Sequence, residues 1–386
     1  MSARGGGRGF DPRVWLLALG TFAIGTDAFV VSGILPALAD DLGVGLDVAG
    51  QVVSAYALTY ALGAPFLAAL TARLARERVV LGALGLFVLA NALCALAPSY
   101  GFLIAARVLA GVAAALYTPT AYALAASLAR PERRGAALAA VALGLTASTV
   151  LGVPLGALIG HALNWHATFW MVVVLSALAA GVLAARPPRA APDTRPAGLA
   201  SRFAPLARPR VLLALLPSLI WCTGNFTSYT YLGAALAGRY APGVVAGLFL
   251  VYGLGGLVGS QLGGRLADRF GATGPILACL CVGVANQLLL GVTGTHPVGA
   301  GAALLVWSFC GWATFAPQQS RLLAIAPNDG PVVIALNNAT IYLGSALGAG
   351  LGGLLIGAGT PATGLHWATA GLLAAALAVV RAGRIG

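Results

Sequence analysis

Apolar runs of about 20 residues recur from one end of the chain to the other, each closed by a short segment where Arg, Asp, Gly or Pro gather. Roughly 20 apolar residues is the length a helix needs to cross the hydrocarbon layer of a bilayer. The runs predict twelve helices, over 14–36, 47–70, 79–97, 100–128, 137–162, 166–185, 210–237, 242–264, 274–294, 297–323, 330–358 and 364–382. Membrane barrels are built from short alternating segments, and no such alternation runs through this sequence. The pattern therefore predicts an all-α membrane protein.

One segment breaks the rhythm. Residues 186–209 open with Arg186-Pro187-Pro188-Arg189 and continue through Pro192, Arg195 and Pro196. Proline removes backbone donors and arginine resists burial in lipid, so this segment reads as a linker outside the membrane. It divides the chain into a tail (1–13), a six-helix half (14–185), the linker, a second six-helix half (210–382) and a final tail (383–386). The halves look like repeats. The fifth helix carries Gly152, Gly156 and Gly160, and the eleventh carries Gly344, Gly348 and Gly352 at the same intervals. A third ridge, Gly255, Gly259 and Gly263, lies on the eighth. Residues four apart form one stripe, and glycine lets a neighbouring backbone come close. Two alike halves are the expected build of many carriers.

Composition supports the same class: 59% of residues are hydrophobic and only 8% are charged, too few to cover a soluble protein of this size. The net charge of +12 comes entirely from Arg, with no Lys. Arg73, Arg76, Arg78, Arg130, Arg133, Arg134, Arg265, Arg269, Arg321, Arg381 and Arg384 fall on the side of the N-terminus, while only Arg239 falls opposite, beside Asp40, Asp41 and Asp47. That is the positive-inside distribution. It predicts that both termini are cytoplasmic, and it accounts for the charge through topology and anionic lipid, without nucleic acid. Richness in Ala, Gly and Arg points to a GC-rich bacterial genome and so to a bacterial cytoplasmic (inner) membrane. The five cysteines lie within apolar segments and the four histidines near helix ends, and neither set is spaced as metal ligands.

Against this background Asp27 stands out. It interrupts the first apolar run, whereas the other nine Asp and Glu residues lie near helix ends or in loops. A carboxyl group at mid-bilayer costs about 2.5–3.5 kcal/mol on insertion scales, and groups kept there usually face a cavity and exchange protons or ions. The expectation is a reversible proton site facing a cavity. The bland alternative is an Asp satisfied by helix-to-helix hydrogen bonds. An intramembrane enzyme would need a second acid, or a nucleophile with a base. No second acid or mid-helix His is present.

Several motifs carry a family resemblance. Gly263-Gly264-Arg265-Leu266-Ala267-Asp268-Arg269-Phe270-Gly271 closely resembles the cytoplasmic loop motif of the major facilitator superfamily. Arg107 followed by Gly111 resembles that family's fourth-helix arginine motif. The run Gly144…Gly152-Val153-Pro154-Leu155-Gly156, with Gly160 beyond it, resembles the glycine–proline motif of antiporters. Gly25-Thr26-Asp27-Ala28-Phe29-Val30-Val31-Ser32-Gly33-Ile34-Leu35-Pro36 resembles the first helix of the twelve-helix drug:proton antiporters, of the arabinose-efflux and chloramphenicol-efflux type. One departure is plain: Ala72 stands in the first half where Asp268 stands in the second.

The resemblance implies a major facilitator fold of two pseudo-symmetric six-helix bundles. It implies export of a small amphipathic, drug-like molecule in exchange for protons by alternating access. The proton is then the coupling ion, no cofactor is needed, and a monomer suffices. A carrier of a sugar, nucleoside or other metabolite is the alternative. Arg107 is implied to share in proton coupling, and the sequence leaves open whether it pairs with Asp27 or bonds backbone carbonyls. Asp268 is implied to meet the start of the fifth helix, around Arg133 and Arg134, when the cytoplasmic side is closed, with Arg73, Arg265 and Arg269 as neighbours. The family's cavity is lined by the first, fourth, seventh and tenth helices. The expected substrate contacts here are Asp27, Thr118, Tyr122, Trp221, Asn225, Ser228, Tyr229, Trp312, Phe315, Gln318, Gln319, Asn338 and Tyr342, with Tyr56, Tyr60 and Tyr117 as weaker candidates. Aromatic rings with a few hydrogen-bonding groups suit amphipathic molecules.

Overall fold

A computed structural model describes residues 11–187 and 202–383. Most of the N-terminal tail, most of the linker and the last three residues lie outside the described residues. Among the described residues, twelve helices are long and apolar enough to cross a membrane: α1 (Arg13–Asp41), α2 (Leu46–Leu70), α3 (Arg76–Ala95), α4 (Tyr100–Ser127), α5 (Pro131–Ala162), α6 (Trp165–Ala185), α7 (Pro209–Ala237), α8 (Pro242–Phe270), α9 (Thr273–Thr293), α10 (Pro297–Ile325), α11 (Pro327–Gly357) and α12 (Ala362–Ala382). Among the described residues there is no strand. Asparagine, serine and proline mark several starts. Ser99 accepts from Phe102 N at 3.4 Å and Asn164 from Ala167 N at 2.9 Å, and proline, which lacks the donor a first turn cannot use, opens α7, α8 and α10. The spans agree with the sequence reading except at three ends. α1 and α8 run on to Asp41 and Phe270, and α5 begins at Pro131. The extension of α8 corrects one expectation: the Gly263–Phe270 motif forms the last turns of a helix rather than a loop, and only Gly271, at φ +74°, leaves it.

Four helices are interrupted, α2 at Gly50 among them, and two of the four for a visible reason. Pro154 cannot donate to the carbonyl of Val150 and its ring presses on it, and α5 widens into a π-helical segment at Ser148–Gly152 just before it. Pro317 does the same to Ala313, where the first piece of α10 ends, and the helix resumes at Phe315. α7 turns at Thr230 and resumes at Leu232.

In lipid there is little hydrophobic drive between helices, so packing relies on small residues that admit close backbones. The glycine ridges do this in matching ways. Gly144, Gly152, Gly156 and Gly160 of α5 lie against Ala18 and Thr21, Thr26, Val30 and Ile34 of α1 in constant register. Gly344, Gly348 and Gly352 of α11 lie against Leu219 and Cys222, Thr223, and Thr227 of α7 in the same manner. The pairs α1–α5 and α7–α11 are therefore equivalent. Gly255, Gly259 and Gly263 of α8 meet the carbonyls of Leu305, Phe309 and Ala313 on α10. Hydrogen bonds reinforce these seams, as from Thr21 Oγ1 to Val141 O at 2.8 Å and from Ser218 Oγ to Asn337 Oδ1 at 2.8 Å.

With an even number of spans, Arg13 and Ala382 lie on one face. On the opposite, distal side the two halves touch closely. Gly233 of α7 lies on the Ser32 carbonyl, Gly253 of α8 on the Thr149 carbonyl, and Gly353 of α11 on that of Asp47. Ser54 Oγ donates to Ala346 O at 3.1 Å. At mid-depth Tyr60 and Tyr342 stack with centroids 3.6 Å apart. On the terminal side Arg73, Arg133, Arg134, Arg265, Asp268 and Arg269 are all exposed.

Candidate functional site

Asp27 sits at the middle of α1, flanked by Gly25 against Ser148 and by Thr26 against Gly152. The α5 ridge thus holds the backbone on either side of the carboxylate. Arg107 reaches it from α4: Nη1 donates to Asp27 Oδ1 at 2.6 Å, and both side chains are 0% exposed. Arg107 Nε donates to Val52 O at 3.4 Å, and its guanidinium lies 4.5 Å from the Tyr56 ring centroid and 5.9 Å from that of Phe169. Four elements therefore surround one ion pair. The question left by the sequence is answered by direct pairing.

The pair is not fully satisfied. Asp27 Oδ2, Arg107 Nη2 and the Tyr56 hydroxyl are buried with no hydrogen-bond partner among the described residues. Buried polar atoms of this kind are expensive to leave open. One expectation is corrected here. Asp27 faces Arg107 and not an open cavity, because the rings of Tyr56 and Phe169 close over the guanidinium.

A second set of residues lies between the halves. Trp221, Trp312 and Phe315 form a continuous wall, with centroids 5.2 Å apart for Trp221–Phe315 and 5.1 Å for Trp312–Phe315. Tyr229 joins it from α7, its hydroxyl donating to the Phe29 carbonyl at 3.4 Å. Gln319, Asn338 and Tyr342 are partly exposed, as are Thr118 and Tyr122 on α4. Other expected contacts point elsewhere. Ser228 shares a 2.6 Å hydrogen bond with Thr369 on α12, so its hydroxyl is spent inside the second half. Gln318 Nε2 donates to Ala214 O at 2.7 Å and ties α10 to α7. Asn225 accepts from Trp307 Nε1 at 2.5 Å, and the Tyr117 hydroxyl is used on Leu17 O at 2.8 Å. Two rings that sequence reasoning missed complete the wall, Phe29 from α1 and Phe226 from α7. The only sequence signal for Phe226 is its place three residues before Tyr229, and Phe29 carries none.

The motif residues at the terminal face form no gate in this structure. Asp268 does not meet Arg133 or Arg134, and the Arg269 guanidinium lies 5.3 Å from the Phe270 ring centroid. Among the described residues no cluster of three His, Cys, Asp or Glu side chains is placed to hold a metal.

The chain has known relatives. The sequence model of the Major Facilitator Superfamily matches residues 17–349. The uncharacterized MFS-type transporter YbcL of Bacillus subtilis is 34% identical over 346 residues, spanning 89% of this chain and 88% of its own. The chloramphenicol resistance protein of Streptomyces lividans is 32% identical over 376 residues, spanning 95% of this chain and 94% of its own. The crystal structure of the human organic anion transporter MFSD10 (TETRAN) superposes with a TM-score of 0.70 at 19% identity, over 95% of this chain and 98% of that one; the likeness is one of fold. With twelve spans in two alike halves and a family match over most of its length, this chain belongs to the Major Facilitator Superfamily of multi-pass membrane transporters.

Proposed function

We propose that this transporter is a proton-driven exporter of small amphipathic molecules in a bacterial cytoplasmic membrane, with its termini in the cytoplasm and its distal face outside. The observation that carries the reading is the buried Asp27–Arg107 pair with one carboxylate oxygen left open. A proton arriving at Oδ2 neutralises the carboxylate and leaves Arg107 charged and unpaired. Breaking a buried pair is costly, about 3–5 kcal/mol in folded proteins, so the two protonation states favour different packings of α1 against α4. Each proton moving inward contributes about 2.3 kcal/mol per 100 mV, comparable with that cost. Rocking of the halves then alternates access. The contacts of Gly233, Gly253 and Gly353 hold the outer side closed, and the charged residues at the cytoplasmic ends are exposed.

Export is tested in inverted membrane vesicles, where uptake of an amphipathic fluorescent dye corresponds to efflux. The expected result is uptake driven by an imposed proton gradient and collapsed by a protonophore; uptake indifferent to the gradient would sink the coupling. Arg107→Lys is expected to lower that uptake by about tenfold or more, because an ammonium cannot keep a fork on Asp27 and Val52 O while stacking on Tyr56. Equal uptake at equal protein level would show that only the charge matters.

A second reading is favoured by one relative, the probable sugar efflux transporter of Helicobacter pylori, 28% identical over 346 residues. Gln319 and Asn338 offer amides suited to hydroxyl groups. Counterflow of radiolabelled sugars in proteoliposomes separates the readings: sugar exchange without dye transport would replace the first by the second.

A further inference from the structure

One ring of the first half sits among the rings of the second. Phe29 leaves α1 two residues beyond Asp27 and lies between Phe226, stacked at 6.2 Å, Tyr229, edge-on at 6.0 Å, and Trp312 at 6.3 Å and 62°. Beyond Trp312 the aromatic wall continues through Phe315 to Trp221, with tighter spacings of 5.1 Å and 5.2 Å. The centroid spacings around Phe29 are thus wider than those along the wall. Ala28, Ser32, Val53, Phe226, Tyr229 and Thr230 close around Phe29 and leave no room even for a water. Phe29, Phe226 and Trp312 are each partly exposed, which is unusual for rings at the centre of a packed interface.

Aromatic pairs are held by shape and by their quadrupoles at centroid distances of about 4.5–7 Å. One ring therefore replaces another in such a cage at little cost. No acidic side chain faces it: Asp27 is wholly buried and engaged with Arg107. On α10, Gln319 follows Phe315 by one helical turn. Its amide is partly exposed and makes no side-chain hydrogen bond among the described residues.

We propose that Phe29 occupies the place of the substrate's aromatic ring, and that a ring-bearing molecule with a hydrogen-bonding substituent binds by displacing Phe29 from between Phe226, Tyr229 and Trp312. No charge on the molecule is required. The proposal rests on the transport reading for its purpose, since it names the class of molecule carried. Its binding step needs no proton. It also gives α1 a second role. The helix segment that carries the proton site carries, two residues on, the ring that substrate must move.

The test is equilibrium binding to the full chain in lipid nanodiscs, without any gradient, by calorimetry. The probes are naphthalene-2-carboxamide and its saturated decahydro analogue. The aromatic amide is expected to bind about tenfold more tightly than the saturated one, because only it can use the ring faces. Phe29→Ala is expected to tighten binding of the aromatic amide about fivefold or more, because removing a competitor that fills the site raises the competent fraction. Phe29→Trp and Trp312→Ala are expected to weaken it. Binding unchanged or weakened in Phe29→Ala would overturn the proposal. Phe29→Leu serves the same purpose should the alanine variant not fold. Failure here is distinct from failure of the export reading: a vesicle assay that finds no proton dependence leaves the cage intact, and a proton-driven exporter indifferent to Phe29 leaves the coupling intact.

Discussion

Asp27→Asn is expected to reduce gradient-driven dye uptake in inverted vesicles to the level of vesicles lacking the protein. Asparagine keeps the size of the side chain and still accepts a hydrogen bond from Arg107 Nη1, which Asp27 Oδ1 now receives at 2.6 Å. It cannot ionise, so the step that distinguishes the two packings is lost. The same change has a structural cost. It leaves a wholly buried guanidinium without a counter-charge, and truncating one partner of a buried pair costs about 3–5 kcal/mol in folded proteins. A loss of transport could then reflect poor folding. The double variant Asp27→Asn with Arg107→Met separates the two. Replacing both charges of a buried pair by apolar or neutral groups is often neutral or stabilising, by up to about 4 kcal/mol. The expected outcome is a double variant that melts near or above the wild type and still fails to transport. Restored, gradient-dependent uptake in that variant would show that the pair is a structural clamp and that protons are carried elsewhere.

How much of this was legible beforehand varies with the kind of residue. Asp27 and Arg107 announce themselves, because a charge inside an apolar run is expensive and few residue types disguise it. Their contact was not legible: it depends on how α1 and α4 are rotated, and twelve nearly uniform apolar helices give little asymmetry from which to read rotation. The same indifference misassigned Ser228 and Gln318. Both lie on polar stripes, but a stripe records only that a face is not lipid, and Thr369 and Ala214 O are as good a destination as a cavity. Phe29 and Phe226 were missed for the opposite reason, since phenylalanine in a membrane helix carries no signal at all. The glycine ridges were legible as packing, and their register against α1 and α7 followed from structure alone. The Gly263–Phe270 motif was legible as chemistry and misplaced in form, because the helix runs through its arginines to the glycine at positive φ.

Gly253→Ala and Gly348→Ala are expected to behave in opposite ways, although each adds one methyl group against a backbone carbonyl. At Gly348 the new Cβ would collide with Thr223 O inside one half, and at Gly253 with Thr149 O across the two halves. Alanine gains up to about 1 kcal/mol of helix propensity over glycine, while forcing an atom into a close-packed seam costs about 1–3 kcal/mol. The collision wins where the obstacle is backbone and cannot turn aside. Within a half there is no escape short of loosening the bundle, so Gly348→Ala is expected to lower the melting temperature. Between the halves there is an escape, which is to part them on the distal side. A bias of 1–3 kcal/mol on a two-state equilibrium corresponds to about 5–150-fold in population. The measurement is labelling of the engineered thiol in Ser54→Cys by a membrane-impermeant maleimide added to the distal face, in a background where the exposed Cys281 is replaced by serine. Ser54 is the residue that now bonds Ala346 O across the closed seam. Gly253→Ala is expected to raise the labelling rate within that range and to leave melting close to the parent, whereas Gly348→Ala leaves labelling unchanged. Equal labelling in all three proteins would mean that the seam at Gly253 does not open during the cycle, and that alternating access in this chain runs through some other pair of helices.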